Sequence, residues 1–274
     1  MEVMHVNCAG LDIHKDTVVA AIRVHNNGKP TREIRTFSTM TKDLLALQDW
    51  LSTHHITNVA MEATGVYWKP VWHILENAFE LMLANPAHIK AVPGRKSDVN
   101  DAGWIAELLA HGLITGSFVP ETPIQELREL TRIRKQLTAE KARHTQRIQK
   151  VLEDANIKLS SVATDIMGLT GRTIIKAIIT GQSDPSELAM LAQGSLKNKT
   201  ELLKQALYGR LREHHQFMLN LLLEQVHGLE ASIAQIETRL EELMLPFKPT
   251  LERLMTIPAT LPVRCILGSR RDWT

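Results

Sequence analysis

The 274-residue sequence is poor in aromatic side chains: Phe, Trp and Tyr make up 4% of it. Its core must therefore be built from Leu, Ile, Val and Ala. Two cysteines, Cys8 and Cys265, stand near opposite ends, and no CxxC pair occurs. That pattern offers neither a disulfide framework nor a thiolate zinc site. No apolar run approaches the ~18–20 residues of a membrane span. The N-terminal MEVMHVNCAG lacks a basic region followed by an apolar stretch, so no signal peptide is expected and a reducing cytoplasm is the expected location. A dominant charge sign is missing too, since 32 Lys and Arg face 30 Asp and Glu. Nucleic-acid binding must then rest on local clusters rather than on a net charge of +2. What is present, 44% hydrophobic and 23% charged residues, suits an ordinary globular protein. The length suits two modest domains, or one domain with a long helical extension.

The first 115 residues alternate between strand and helix patterns. Val6 to Ile13 and Thr17 to Val24 are short apolar runs, and REIRTFS at 32–38 alternates as a third strand. HNNGKP at 25–30 has turn chemistry, so the sheet is expected to begin with two antiparallel hairpins. TKDLLALQDWLSTHH predicts a helix, TNVAME a fourth strand, WKPVWHILENA a second helix and ELMLAN a fifth strand. A basic loop, HIKAVPGRK, precedes a third helix, SDVNDAGWIAELLAHG, with Ser97 as N-cap and Gly112 as stop. The order β-β-β-α-β-α-β-α is that of a ribonuclease-H-like sheet. From Pro123 the pattern becomes helical. Leu130, Ile133, Leu137, Ile148 and Val151 fit a heptad frame, with Lys141 and His144 at polar breaks. Leu222, Val226, Leu229, Ile233, Ile236, Leu240 and Leu243 follow a 4-3-4-3 spacing that predicts a coiled-coil seam. The two helices could pair within the chain or between subunits. SDPSELA at 183–189 reads as a capped helix start.

Four carboxylates stand out. Asp12 closes the first strand, Glu62 closes the fourth, and Asp98 and Asp101 open the third helix. If strands one and four are neighbours and the helix packs across them, all four converge on one end of the sheet. Hard divalent cations such as Mg²⁺ take oxygen ligands and offset such crowded negative charge. Two such ions activate a nucleophile and stabilise a leaving oxygen in phosphodiester cleavage. The plainer reading of Asp98 and Asp101 is that acids are favoured at a helix N-terminus. Asp16 reads as a turn residue, and His14, His54, His55, His73, His88 and His111 read mostly as surface or packing residues.

Between Arg132 and Lys150 seven bases, Arg132, Arg134, Lys135, Lys141, Arg143, Arg147 and Lys150, meet one acid, Glu140. Arg143, Arg147 and Lys150 form a stripe at i, i+4 and i+7 that can neutralise phosphates; the alternative is a solvated helix face. Lys90, Arg95 and Lys96 form a second basic cluster just before the aspartates. Tyr67 and Trp68 could stack on a base or pack at the rim.

GLDIHKD, MEATGVYW, NPAHIKAVPGRKSDVNDAGWIAELLAHGLI and TPIQELRELTRIRKQL occur in that order. Together they resemble the DEDD transposases of bacterial insertion sequences, the "IS one-ten" group. The resemblance is strongest over residues 8–150 and continues to LMTIP at 254–258. It implies an α/β ribonuclease-H-like (RuvC-like) domain over 1–118 and an all-α region with long coiled-coil helices over 119–253. It also implies the start of a C-terminal transposase domain over 254–274. It assigns Asp12, Glu62, Asp98 and Asp101 as catalytic Mg²⁺ ligands. It further implies DNA as substrate (element ends and target) and a structured guide RNA, while the helical region's own pattern makes a homo-oligomer through that region the expectation. The family's IPG motif reads Ile257-Pro258-Ala259 here, and no serine, Ser269 included, matches the family's nucleophile context. An impaired, truncated copy is therefore the expectation from this resemblance.

Other classes remain open on sequence. An actin-like ATPase or sugar kinase shares the sheet order but wants glycine after the first aspartate, where Ile13, His14 and Lys15 stand. A non-catalytic remnant that binds DNA or RNA and dimerises is compatible with the basic helix. A stand-alone junction resolvase would nick branched DNA with Mg²⁺.

Overall fold

The computed structural model describes residues 3–26, 29–63, 65–91 and 101–256. Contacts divide the chain into two compact units, Met1–Pro120 and Glu121–Thr274. Residues 92–100 and the tail from 257 lie outside the described residues. So do Asp98, Arg95, Lys96, Ser97, the segment after Thr256 and the side chain of Lys90.

The first unit is a six-stranded sheet. Its strands are β1 (Cys8–Ile13), β2 (Thr17–Asn26), β3 (Lys29–Ser38), β4 (Asn58–Glu62), β5 (Glu80–Ala84) and β6 (Gly116–Ser117). Its helices are α1 (Thr41–Thr53), α2 (Trp68–Leu75), α3 (Pro86–Ala91) and α4 (Asp101–Ala110). The spatial order is β3-β2-β1-β4-β5-β6. β1, β2 and β3 pair antiparallel, while β1, β4 and β5 run parallel. The first five strands thus take the ribonuclease-H-like order, with strands one and four side by side. Two details differ from the sequence reading. The start of the basic loop is helical, because Asn85 Oδ1 accepts from the Ala87 backbone N–H and Pro86 opens the turn. β6, two residues paired antiparallel to β5, is too short to carry a periodic signal.

Alternation assigns the two faces. Ala9, Leu11, Ile13, Val59, Met61 and Leu83 share a core with Leu44, Leu47 and Leu51 of α1 and with Val71 and Leu75 of α2. Each such leucine contributes about 1.5–3 kcal/mol by leaving water. The opposite face presents Cys8, Ala60 and Ala84, which pack with Ile105, Leu108 and Leu109 of α4. Gly10 lies on this second face. A Cβ there would run into the Ala102 carbonyl oxygen and the Ala106 backbone nitrogen. Glycine therefore lets the α4 backbone lie directly on β1.

The second unit is helical. It comprises α5 (Thr122–Asp154), α6 (Leu159–Val162), α7 (Leu169–Ile179), α8 (Pro185–Met190), α9 (Thr200–Ala206), α10 (Glu213–Met244) and α11 (Lys248–Met255). α8 starts as the sequence suggests, with the Asp184 side chain accepting from the Ser186 N–H. α5 and α10 pair antiparallel within the chain: Arg134 binds Glu237, Lys141 lies 3.6 Å from Glu230, and His215 binds Asp154. On α10, Leu222, Val226 and Leu240 are buried, and Leu229, Ile233, Ile236 and Leu243 are half-buried. On α5 the heptad frame holds at Leu130, Leu137, Ile148 and Val151 and fails at one position, where Ile133 is exposed and Arg134 takes the inward place. Ile148, Leu152, Ile174, Ile175, Leu188, Leu203, Leu219 and Leu223 form the core where the shorter helices close over one end of the pair.

Glu230 ties three helices. Arg172 of α7 grips it with two hydrogen bonds, of 3.0 and 2.6 Å, while Lys141 approaches from α5. Burial alone would raise its pKa. The hydrogen bonds and charge of Arg172, then the charges of Lys141 and His227, outweigh burial and hold it below the usual 4.5.

Two predictions follow from the packing. Gly10→Ala should destabilise the chain by about 1–3 kcal/mol, the ordinary cost of overpacking, and lower its melting temperature. A depressed carboxylate contributes stability above its unfolded pKa and loses it as pH falls through the folded one. Denaturant midpoints should therefore drop below about pH 4.5, and Glu230→Gln should lower stability at pH 7 while flattening that acid limb.

Candidate active site and nucleic-acid face

The acidic residues are set by strand register. The β1–β4 ladder ends at Leu11↔Met61, so Asp12 and Glu62 follow side by side at the same strand ends, about 4.8 Å apart between strands. Side chains alternate, so Asp12 shares the face of Gly10 and Glu62 the face of Ala60, which is the face covered by α4. The helix runs antiparallel to β1: Cys8 Sγ reaches the Ala106 carbonyl, while the Ala102 carbonyl lies over Gly10. Asp101, the first described residue of α4, consequently stands at the Asp12 end. Asp12 and Glu62 are half-buried and Asp101 is exposed.

Asp12, Glu62 and Asp101 thus lie on one face at one end of the sheet. Among the described residues, no three His, Cys, Asp or Glu side chains already form a cluster that could hold a metal ion. Sequence reading missed one neighbour. His14 Nε2 lies 3.2 Å from Asp12 Oδ2, with the imidazole 61% exposed and the carboxylate 19%. The i, i+2 spacing in GLDIHKD was the available signal, because it returns both side chains to one face.

Tyr67 and Trp68 separate in role. Trp68 packs on the α1–α2 side of the core and edge-on to Trp72, whereas Tyr67 is exposed.

The basic residues of α5 divide between its two faces. At 100° per residue, Arg132, Lys135, Arg143, Arg147 and Lys150 fall within about 60° of one direction, and all five are exposed. Leu130, Arg134, Leu137, Lys141 and Ile148 point the opposite way, towards α10. Arg134 donates from Nε and Nη2 to Glu237 Oε1 at 2.9 and 2.7 Å, so its charge is used inside the helix pair. Lys141 is similarly engaged by Glu230. The exposed stripe spans about 27 Å.

A family model of DEDD transposases of the IS110 group, described as Transposase, matches residues 9–157, more than half of the chain. The chain belongs to this family. Two pilin gene-inverting proteins, from Moraxella lacunata and Moraxella bovis, are 30% identical over 87 residues. Each alignment covers 30% of this chain and 26% of the relative, so the chain matches about a quarter of those proteins' length. Among solved structures, Thermus thermophilus RuvC aligns with 39% of this chain and 93% of its own, at 15% identity and a TM-score of 0.29. An Aquifex aeolicus member of the Ppx/GppA family aligns with 80% of this chain and 98% of its own, at 10% identity and a TM-score of 0.22. The fold assignment of this transposase-family chain rests on its own strand order. Among the described residues, no helix is long and apolar enough to cross a membrane.

A direct check of the register is available. With Cys265→Ser as background, Asp12→Cys combined with Asp101→Cys should be bridged by a short bismaleimide. Asp101→Cys combined with Asp16→Cys, in the turn beyond the strand end, should be bridged more slowly.

Proposed function

We propose that this chain is a DNA transposase of an insertion sequence, whose acidic site performs Mg²⁺-dependent phosphodiester chemistry on DNA. What supports the reading is the placement of Asp12, Glu62 and Asp101 on one face at one end of the sheet, from two adjacent strand ends and one helix. Asp98, three residues before Asp101, completes the proposed ligand set. When bound, Mg²⁺ would supply a nucleophile at neutral pH and charge neutralisation at the scissile phosphate. The protein's own part is to hold the carboxylates in place before the substrate arrives. The relatives named for inverting a pilin gene support DNA as the substrate.

Arg132, Lys135, Arg143, Arg147 and Lys150 are proposed to bind nucleic-acid phosphates, with Lys90, Arg95 and Lys96 as a second basic group. A structured guide RNA offers the same phosphate chemistry and is a proposed partner. A homo-oligomer is also proposed. Because the α10 seam faces α5 of the same chain, a second copy would dock on other surfaces of the helical unit.

The test is a cleavage assay on element ends with Mg²⁺. Asp12→Asn should abolish nicking and leave DNA binding intact; unchanged nicking would refute the acidic-site reading. If the wild-type chain binds DNA and never cleaves, the non-catalytic binding reading replaces it. Removing the stripe (Arg143→Ala, Arg147→Ala and Lys150→Ala together) should weaken duplex binding. It should also reduce the slope of log K against log salt by roughly two to three units.

A further inference from the structure

We propose that Glu107, held by Arg23 and Arg32, is a positioning residue for the acidic site. It fixes the slide and rotation of α4 on the sheet, and so where Asp101 stands relative to Asp12. This rests on the acidic cluster being the catalytic site.

Over β1, α4 meets the sheet through small groups. Gly10, Cys8 and Ala60 lie beneath, and Ala102, Gly103, Ala106 and Ala110 are buried on the helix. Ile105, Leu108 and Leu109 pack beside this seam, and over β1 itself few side-chain ridges set the helix's axial position. Over β1, charge adds to that packing in setting the register. Cys8, Arg23 and Arg32 form one row across β1, β2 and β3, because Cys8 pairs with Arg23 and Arg23 with Arg32. Both guanidiniums reach Glu107: Arg23 Nε lies 3.5 Å from Oε2, and Arg32 donates to the same oxygen. One turn on, His111 Nε2 lies 3.1 Å from the other oxygen, Oε1.

Arg23 is only 5% exposed, and among the described residues its Nε and Nη1 have no hydrogen-bond partner. A buried cation in that state depends on its countercharge. Pulling Glu107 away leaves Arg23 unpaired, so α4 cannot slip freely. The proposed contribution of this half-buried pair is register rather than raw stability. Burial would push the Glu107 pKa up, and Arg32, then the His111 hydrogen bond and Arg23, bring it below its usual 4.5. The carboxylate is therefore charged and clamped at neutral pH.

Asp101 lies six residues earlier on the same helix, about 9 Å along the axis. A rigid helix passes a slip at Glu107 undiminished to Asp101. Misplacements near 1 Å can cost about 10²-fold in rate.

The test uses the full-length chain, with Mn²⁺ as an EPR-visible probe of the carboxylates, and Glu107→Gln and Arg32→Met as variants. Arg32 is about half exposed, so its loss does not empty the core. Both variants should remain folded by circular dichroism, bind Mn²⁺ about tenfold more weakly, and slow bismaleimide bridging of Asp12→Cys with Asp101→Cys. The paired change Arg23→Met with Glu107→Leu removes both charges at similar volume. It should recover the melting temperature and not the Mn²⁺ affinity. Wild-type affinity and bridging in Glu107→Gln would overturn the proposal, as would recovery of both by the uncharged pair. If the parent chain binds no Mn²⁺, the acidic-site reading itself fails. The bridging rates then still decide whether Glu107 sets the helix register.

Discussion

The helix that begins at Asp101 lies backbone-to-backbone on the first strand, and the geometry of the acidic face depends on that contact. Gly10 makes it, because any side chain at that point would strike the helix main chain. Ala60 on the neighbouring strand and Ala102 and Ala106 on the helix keep the same seam thin. Large aliphatic side chains at these positions would hold the helix farther from the sheet. A helix start held that far off would lift its carboxylate away from those at the strand ends.

The two units divide their residues differently. In the first, β1 and β4 turn Ala9, Leu11, Ile13, Val59 and Met61 to the α1–α2 side, and present Cys8, Gly10 and Ala60 to α4, with Arg23 beside them on β2. In the second, each long helix has one face for its partner and one for solvent. α5 carries bases on both faces, with opposite consequences. Arg134 and Lys141 are consumed by Glu237 and Glu230, whereas Arg132, Lys135, Arg143, Arg147 and Lys150 face outward.

Much of this was legible in the sequence, for physical reasons. Strand alternation and apolar spacing carried the β-β-β-α-β-α-β-α order, since burial on one face imposes period 2 or 3.6. The position of Asp12 and Glu62 at adjacent strand ends followed from that order alone. The heptad frame on α5 was less secure. Ile133 was assigned inward on hydrophobicity, yet Arg134 turns inward because a facing glutamate compensates it. The row linking Arg23, Arg32 and Glu107 was invisible, because it joins residues up to 84 positions apart through strand register. His14 was visible in principle, two residues from Asp12, but single histidines carry too little pattern to separate from surface ones.

The outward stripe on α5 has a geometric corollary. A straight rod of about 27 Å spans roughly eight base pairs of duplex at 3.4 Å per step. That is less than one helical turn, so the backbone strand of a straight duplex would curve away before it met both ends of the stripe. To engage all five cations, a duplex would present phosphates of both strands to the stripe, or bend along it.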